Sequence, residues 1–279
     1  MKAFKYLAIA LTFVIGLSAC EKIELTYPYD DVNGRTALFQ VFYYAPVANV
    51  AANYIDSVFV NDVLYSSVNG SGQLLPYNGV PGGGVSRYFS AKPGDIRLRF
   101  MRGGQNVYEK VVPVKEGKQG IYVYDFDENP SVLDVTEFGQ RPTPSIAEWD
   151  TDSVTFIRFI NFLYEDATTP YPGKLQYQWR RADQDTDTWQ NVGNPVGFGE
   201  ATAFEAIVIH KTTFNSGGTQ NVYYRILTES GEPLQVYDGT KMVTYSDYWT
   251  GGIGYVKSHH FSGVRTAAPT CAVRQWTFR

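Results

Sequence analysis

In the stretch DIRLRFM, Asp95 to Met101, Ile96, Leu98 and Phe100 alternate with Asp95, Arg97 and Arg99. Side chains point to opposite faces along a strand, so this period of two makes one apolar and one wet face. The pattern recurs. In ALFQVFYYA, Phe39, Val41 and Tyr43 fall opposite Leu38, Gln40 and Phe42; in KLQYQWRR, Leu175, Tyr177 and Trp179 fall opposite Gln176, Gln178 and Arg180. Beyond the leader, no stretch keeps a helical apolar stripe for three turns. The best candidate, PVANVAANYID (Pro46 to Asp56), supports one short turn or none. An all-β fold is expected.

Turn chemistry separates these runs. VNGSG (Val68 to Gly72), GVPGGGV (Gly79 to Val85), KPGD (Lys92 to Asp95), RGGQ (Arg102 to Gln105), KEGKQG (Lys115 to Gly120), NSGGT (Asn215 to Thr219) and ESGEP (Glu229 to Pro233) supply residues that reach positive φ or preset a turn. The 21 Tyr, 17 Phe and 5 Trp, beside 26 Gly and 14 Pro, suit strands joined by tight turns. Strand spacing of about ten residues predicts sandwiches rather than a parallel α/β sheet. The proline-bearing stretch EFGQRPTPSIAEWDTDS interrupts the periodicity and reads as a linker. The two sides of it look like diverged copies. TALFQVFYYAP opens one and DSVTFIRFINFLYED the other, and each is followed by a second strand, IDSVFVNDVLY or GKLQYQWRRAD.

At the N-terminus, Lys2 and Lys5 precede the apolar run YLAIALTFVIGL, which is short of the roughly 20 residues of a membrane span. That is the anatomy of a secretory signal. Its ending, Leu17-Ser18-Ala19-Cys20, resembles a bacterial lipoprotein lipobox, which implies lipidation of Cys20. Two or more acyl chains there would give a stable membrane anchor. Glu21 stands where an aspartate would favour inner-membrane retention, so the outer membrane is the expected destination. EKIE after the cysteine resembles the surface-export signals of Bacteroidetes-type lipoproteins, with the periplasmic face as the alternative address. Losing the leader removes two lysines from 24 basic residues, leaving 22 against 28 acidic and a net charge of −6. No basic domain for nucleic acid is present. With Cys20 lipidated, only Cys271 is left, and it reads as a small hydrophobe in a terminal strand.

The first half also resembles an uncharacterised family of immunoglobulin-like repeat domains of bacterial surface lipoproteins. The likeness rests on VFVNDVLY with Asn61-Asp62 at its turn, on VSRYFSAKPGDIRLRF with Pro93-Gly94, and on VVPVKEGKQGIYVYDF with Gly120-Ile121-Tyr122-Val123. It implies two immunoglobulin-like β-sandwich domains in tandem, and no catalytic residues. The expected organisation is a signal peptide at 1–19, an anchor and spacer at 20–34, a first sandwich at 35–137, a linker at 138–152 and a second sandwich at 153–279.

Catalytic and metal motifs are weak. Asp183, Asp185 and Asp187 imitate the start of a calcium loop, but Thr188 replaces the required Gly and Asn194 the bidentate Glu. DFDEN (Asp125 to Asn129) meets Pro130 where a loop should close. His259 and His260 are adjacent, so in a strand they point to opposite faces and share no metal. No Gly-x-Ser-x-Gly occurs, and PGGGVS lacks the Lys-Ser/Thr of a phosphate loop. Glu200 and Glu205 could be glycosidase carboxylates, but nothing in their context selects them. No enzyme, metal or cofactor is expected.

Aromatic residues are the better lead. Trp179, Trp189, Tyr248 and Trp249, with Arg180 beside them, are the candidate ligand-binding residues, because flat rings stack on sugar faces while planar polar groups bond hydroxyls. The expected function is a lipid-anchored surface protein that binds a glycan or scaffolds glycan acquisition. The alternative is a structural or adhesive component that pairs with a surface protein, for which the C-terminal AVRQWTFR could act as a donated strand or complete its own sheet.

Overall fold

The computed structural model describes residues 36–48, 50–67, 88–135 and 152–278. The leader, Cys20, the spacer, most of the 138–152 linker and the turns at Val68–Gly72 and Gly79–Val85 lie outside them.

The chain is all-β. The strands of the first half are β1 (Ala37–Tyr43), β2 (Ser57–Val60), β3 (Val63–Ser67), β4 (Phe89–Ala91), β5 (Gly94–Arg102), β6 (Gln105–Val114), β7 (Gly117–Val123) and β8 (Ser131–Asp134). PVANVAANYID yields only one 3-10 turn, Ala51–Asn53. Hairpins form where the turn chemistry predicts them. Val60 pairs with Val63 across Asn61 and Asp62, both at positive φ (49° and 65°). Arg102 likewise pairs with Gln105 across Gly103 and Gly104 (57° and 75°). Positive φ at both central positions matches the twist of the flanking strands.

In the second half the strands are β9 (Asp152–Tyr164), β10 (Leu175–Arg181), β11 (Gln190–Asn191), β12 (Glu205–His210), β13 (Thr219–Thr228), β14 (Gln235–Tyr237), β15 (Met242–Thr244), β16 (Ser246–Gly252), β17 (Val256–Val264) and β18 (Ala272–Phe278). The halves repeat one topology. Sheets β4-β1-β7-β8 and β3-β2-β5-β6 correspond strand for strand to β12-β9-β17-β18 and β11-β10-β13-β16. The first strand of each repeat runs parallel to the seventh or its counterpart, β1 with β7 and β9 with β17. The β14-β15 hairpin is an insertion between β13 and β16. The C-terminal strand β18 completes its own sheet, antiparallel to β17 from Ala272 to Phe278.

Three apolar clusters lie between these sheets. One joins β1 and β7 to β2, β5 and β6, through Phe39, Val41, Tyr43, Ile96, Leu98 and Phe100 among others. A second joins β9 and β17 to β10, β13 and β16. The third, Phe42, Tyr44, Tyr122, Ile160 and Phe162, joins the repeats, with Trp276 packed against it. The expectation of one wet face therefore holds for β5 and fails for β1. Phe42 faces the other repeat while Val41 and Tyr43 face the core of their own. Strands buried on both faces read as near-continuous apolar runs, as FQVFYY and FIRFINFLY do.

Polar groups in this third cluster are paired. The Tyr44 hydroxyl lies 2.6 Å from His260 Nδ1 and accepts from Trp276 Nε1 at 3.0 Å; His260 Nε2 lies 2.7 Å from Ser258 Oγ. Arg158 Nη1 donates to the Asp134 carbonyl at 2.7 Å, tying β9 to the end of β8.

Candidate functional site

Alternation along β10, β13 and β16 divides the sequence candidates between two faces. Trp179 and Trp249, 5 % and 2 % exposed, point inward with Tyr177, Val222 and Tyr224. Both were expected to bind ligand; both are core side chains, and this corrects the reading. Trp249 meets the His259 ring edge-on, at 5.0 Å between centroids. Arg180 and Tyr248 point the other way, and the chain leading into β11 brings Trp189 to Arg180.

The outer face is built from two cross-strand rows. One runs Asn191, Gln178, Arg225 and Ser246; the other runs Arg180, Tyr223 and Tyr248. Within the first row, Arg225 Nε donates to Gln178 Oε1 and Gln178 Nε2 donates to Asn191 Oδ1, each at 2.8 Å. The guanidinium carbon of Arg225 lies 4.5 Å from the centre of the Trp189 ring. That of Arg180 lies 5.3 Å from Trp189 and 4.7 Å from Tyr223. Tyr223 continues to Tyr248, which is 53 % exposed. Both guanidinium groups thus sit over aromatic rings, where the cation is attracted to the ring face and a planar guanidinium can also stack. Partial burial lowers the Arg225 pKa from its ordinary value.

Sequence reasoning found Trp189, Arg180 and Tyr248 and missed Tyr223, Arg225 and Gln178 as members of one surface. The available signal was parity. In β10 residues 178 and 180 alternate with the apolar 177 and 179, and in β13 residues 223 and 225 alternate with the apolar 222 and 224.

Other candidates have structural partners. Asp183 Oδ1 accepts from Arg181 Nε at 3.0 Å and Gln220 Nε2 at 2.7 Å. Asp125 Oδ1 accepts from the Asp127 N–H at 2.8 Å and closes a local turn. Glu200 Oε2 accepts from the Gly197 N–H at 2.8 Å, while Glu205 opens β12. Among the described residues no group of three or more His, Cys, Asp or Glu could hold a metal ion. His259 and His260 do face opposite ways, His259 to Tyr177 Oη at 2.8 Å and His260 to Tyr44. Burial drives both imidazoles well below their ordinary pKa, assisted by Lys257 for His259 and by Arg158 for His260. Burial also pushes the Cys271 thiol up to about 12, so it is protonated at neutral pH.

No protein-family model matches the chain, and no curated protein matches it significantly. A solved leucine-rich repeat protein from Bacteroides thetaiotaomicron aligns over 84 % of this chain, at 9 % identity and a TM-score of 0.23. This chain spans 27 % of that protein, and so distant a likeness carries no argument about fold or function.

Proposed function

We propose that this chain is a non-catalytic lipoprotein, tethered through Cys20 to the outer membrane and displayed at the cell surface, which binds a glycan on the outer face of β11-β10-β13-β16. The observation that carries the reading is the clustering of Trp189, Tyr223 and Tyr248 with Arg180, Arg225, Gln178 and Asn191 on one sheet face. Rings offer apolar contact to a pyranose, and side-chain amides and guanidinium groups offer hydrogen bonds to hydroxyls. Apart from Trp189, these groups sit on strands, which hold them more rigidly than a loop would.

Each repeat is read as an immunoglobulin-like sandwich. Two four-stranded sheets over one apolar core support this, while the parallel pairing of β1 with β7 sets the repeats apart from the ABED and CFG sheets of the antibody constant type.

Affinity electrophoresis of residues 21–279 through gels containing a panel of polysaccharides tests the binding. Retardation by at least one polysaccharide is expected, relieved in Trp189→Ala Tyr248→Ala without loss of melting temperature. Uniform migration through every gel would overturn the proposal.

A further inference from the structure

We infer that the outer face of β11-β10-β13-β16 selects an acidic saccharide, one whose carboxylate or sulfate group seats on Arg180 and Arg225. This rests on the glycan-binding reading and adds the chemical class.

Four other arginines among the described residues are paired with carboxylates. On the outer face of the corresponding first-repeat sheet, Arg97 pairs with Asp62 and Glu109, and Arg99 lies 3.6 Å from Asp62. In the second repeat Arg181 takes Asp183 and Arg265 takes Glu165. Among the described residues, Arg180 and Arg225 have no carboxylate partner, although the whole chain carries more acidic than basic residues. Their donors are also underused. Arg180 Nε is buried without an acceptor, and Arg180 Nη1 reaches only the carbonyls of Arg181 and Gln184, at 3.4 and 3.3 Å. Arg225 spends Nε on Gln178, and neither of its Nη groups donates to an acceptor among the described residues.

Two positive charges that share one ring repel one another, and half-burial raises the cost of each unpaired donor. The shared contact with Trp189 holds both in place. An anionic group relieves the repulsion and accepts several of the free N–H donors at once, the bidentate geometry to which guanidinium is suited. The alternating rings and amides of the same two rows then meet the rest of the sugar. The feature is specific to the second repeat because its β10–β11 connection is longer. The first repeat joins β2 to β3 through Asn61 and Asp62 alone, whereas residues 182–189 join β10 to β11 and deliver Trp189.

The test measures binding of residues 21–279 to matched pairs, polygalacturonate against its methyl-esterified form and dextran sulfate against dextran, with poly-glutamate as a non-saccharide acid. One acidic polysaccharide is expected to bind at least about tenfold more tightly than its neutral match. That preference should be lost in Arg180→Gln Arg225→Gln and weakened by salt. Arg180→Lys Arg225→Lys, which keeps the charge but loses the planar fork, should recover only part of it, and melting temperatures show whether each variant is folded. Equal binding of neutral and acidic forms would overturn the acidic class and leave the glycan reading standing. Poly-glutamate binding as tightly as either polysaccharide would overturn the saccharide in favour of an acidic protein. Binding to none would overturn both.

Discussion

At the scale of single residues, two tryptophans ten positions apart have opposite meanings. Trp179 fills the second core and Trp189 lies against two arginines outside it. Trp179→Ala should therefore cost about 3–5 kcal/mol. Trp189→Ala should change stability by under about 1 kcal/mol, a contrast that denaturant titration measures directly. The two buried histidines make a separate prediction. Their folded pKa lies well below 6.5 because burial disfavours the charged ring, so below pH 6.5 the unfolded chain binds protons that the folded chain does not. Stability is fully present above 6.5 and falls with acidification, each neutral ring contributing up to about 1.4 kcal/mol per pH unit. Urea unfolding between pH 7 and 5 should show this slope, and His260→Gln should remove part of it. A flat profile would mean that the rings titrate normally.

At the scale of elements, β17 is a central strand of its sheet. It pairs parallel with β9 and antiparallel with β18, and its side chains enter two different clusters. Near its end, Gly263 has φ +117°, and a Cβ there would lie 2.5 Å from Cys271 Cα and 2.8 Å from the Thr270 carbonyl oxygen. Both are backbone atoms, so the clash has no flexible side chain to absorb it. Gly263→Ala should destabilise by more than about 2 kcal/mol, whereas Gly231→Ala, where the added carbon meets nothing within 4 Å, should carry only the strain of its positive φ. Equal melting temperatures for the two variants would show that β18 can shift to make room.

At the scale of the whole molecule, the repeats are joined by packed rings rather than by sequence adjacency alone. Tyr122 meets Phe162 at 5.1 Å, Tyr44 meets Phe162 at 5.5 Å, and the Tyr44 hydroxyl bonds His260 across the junction. Such a buried junction makes the repeats unfold together. One cooperative transition is expected, and Phe42→Ala Phe162→Ala should split or broaden it, visible in calorimetry as two components. A variant that still melts in one sharp transition would place the coupling elsewhere.

The sequence by itself determined the all-β class, the turns that fall among the described residues and the internal duplication, because alternation and turn chemistry are local properties that neighbouring residues dictate. Gly103-Gly104 and the apolar parity of β5 and β10 were legible for that reason, whereas the Asn61-Asp62 turn was read through the resemblance alone. It also placed His259 and His260 on opposite faces, since strand geometry alone requires it. Tertiary structure decided which apolar face met which. Parity says that Phe42 and Val41 diverge, but nothing local says that both destinations are dry. It likewise decided that Trp179 and Trp249 belong to the core while Trp189 joins Arg180 and Arg225. Those groups come from β10, β13 and the chain before β11, and only the pairing of strands separated by some forty residues brings them onto one surface.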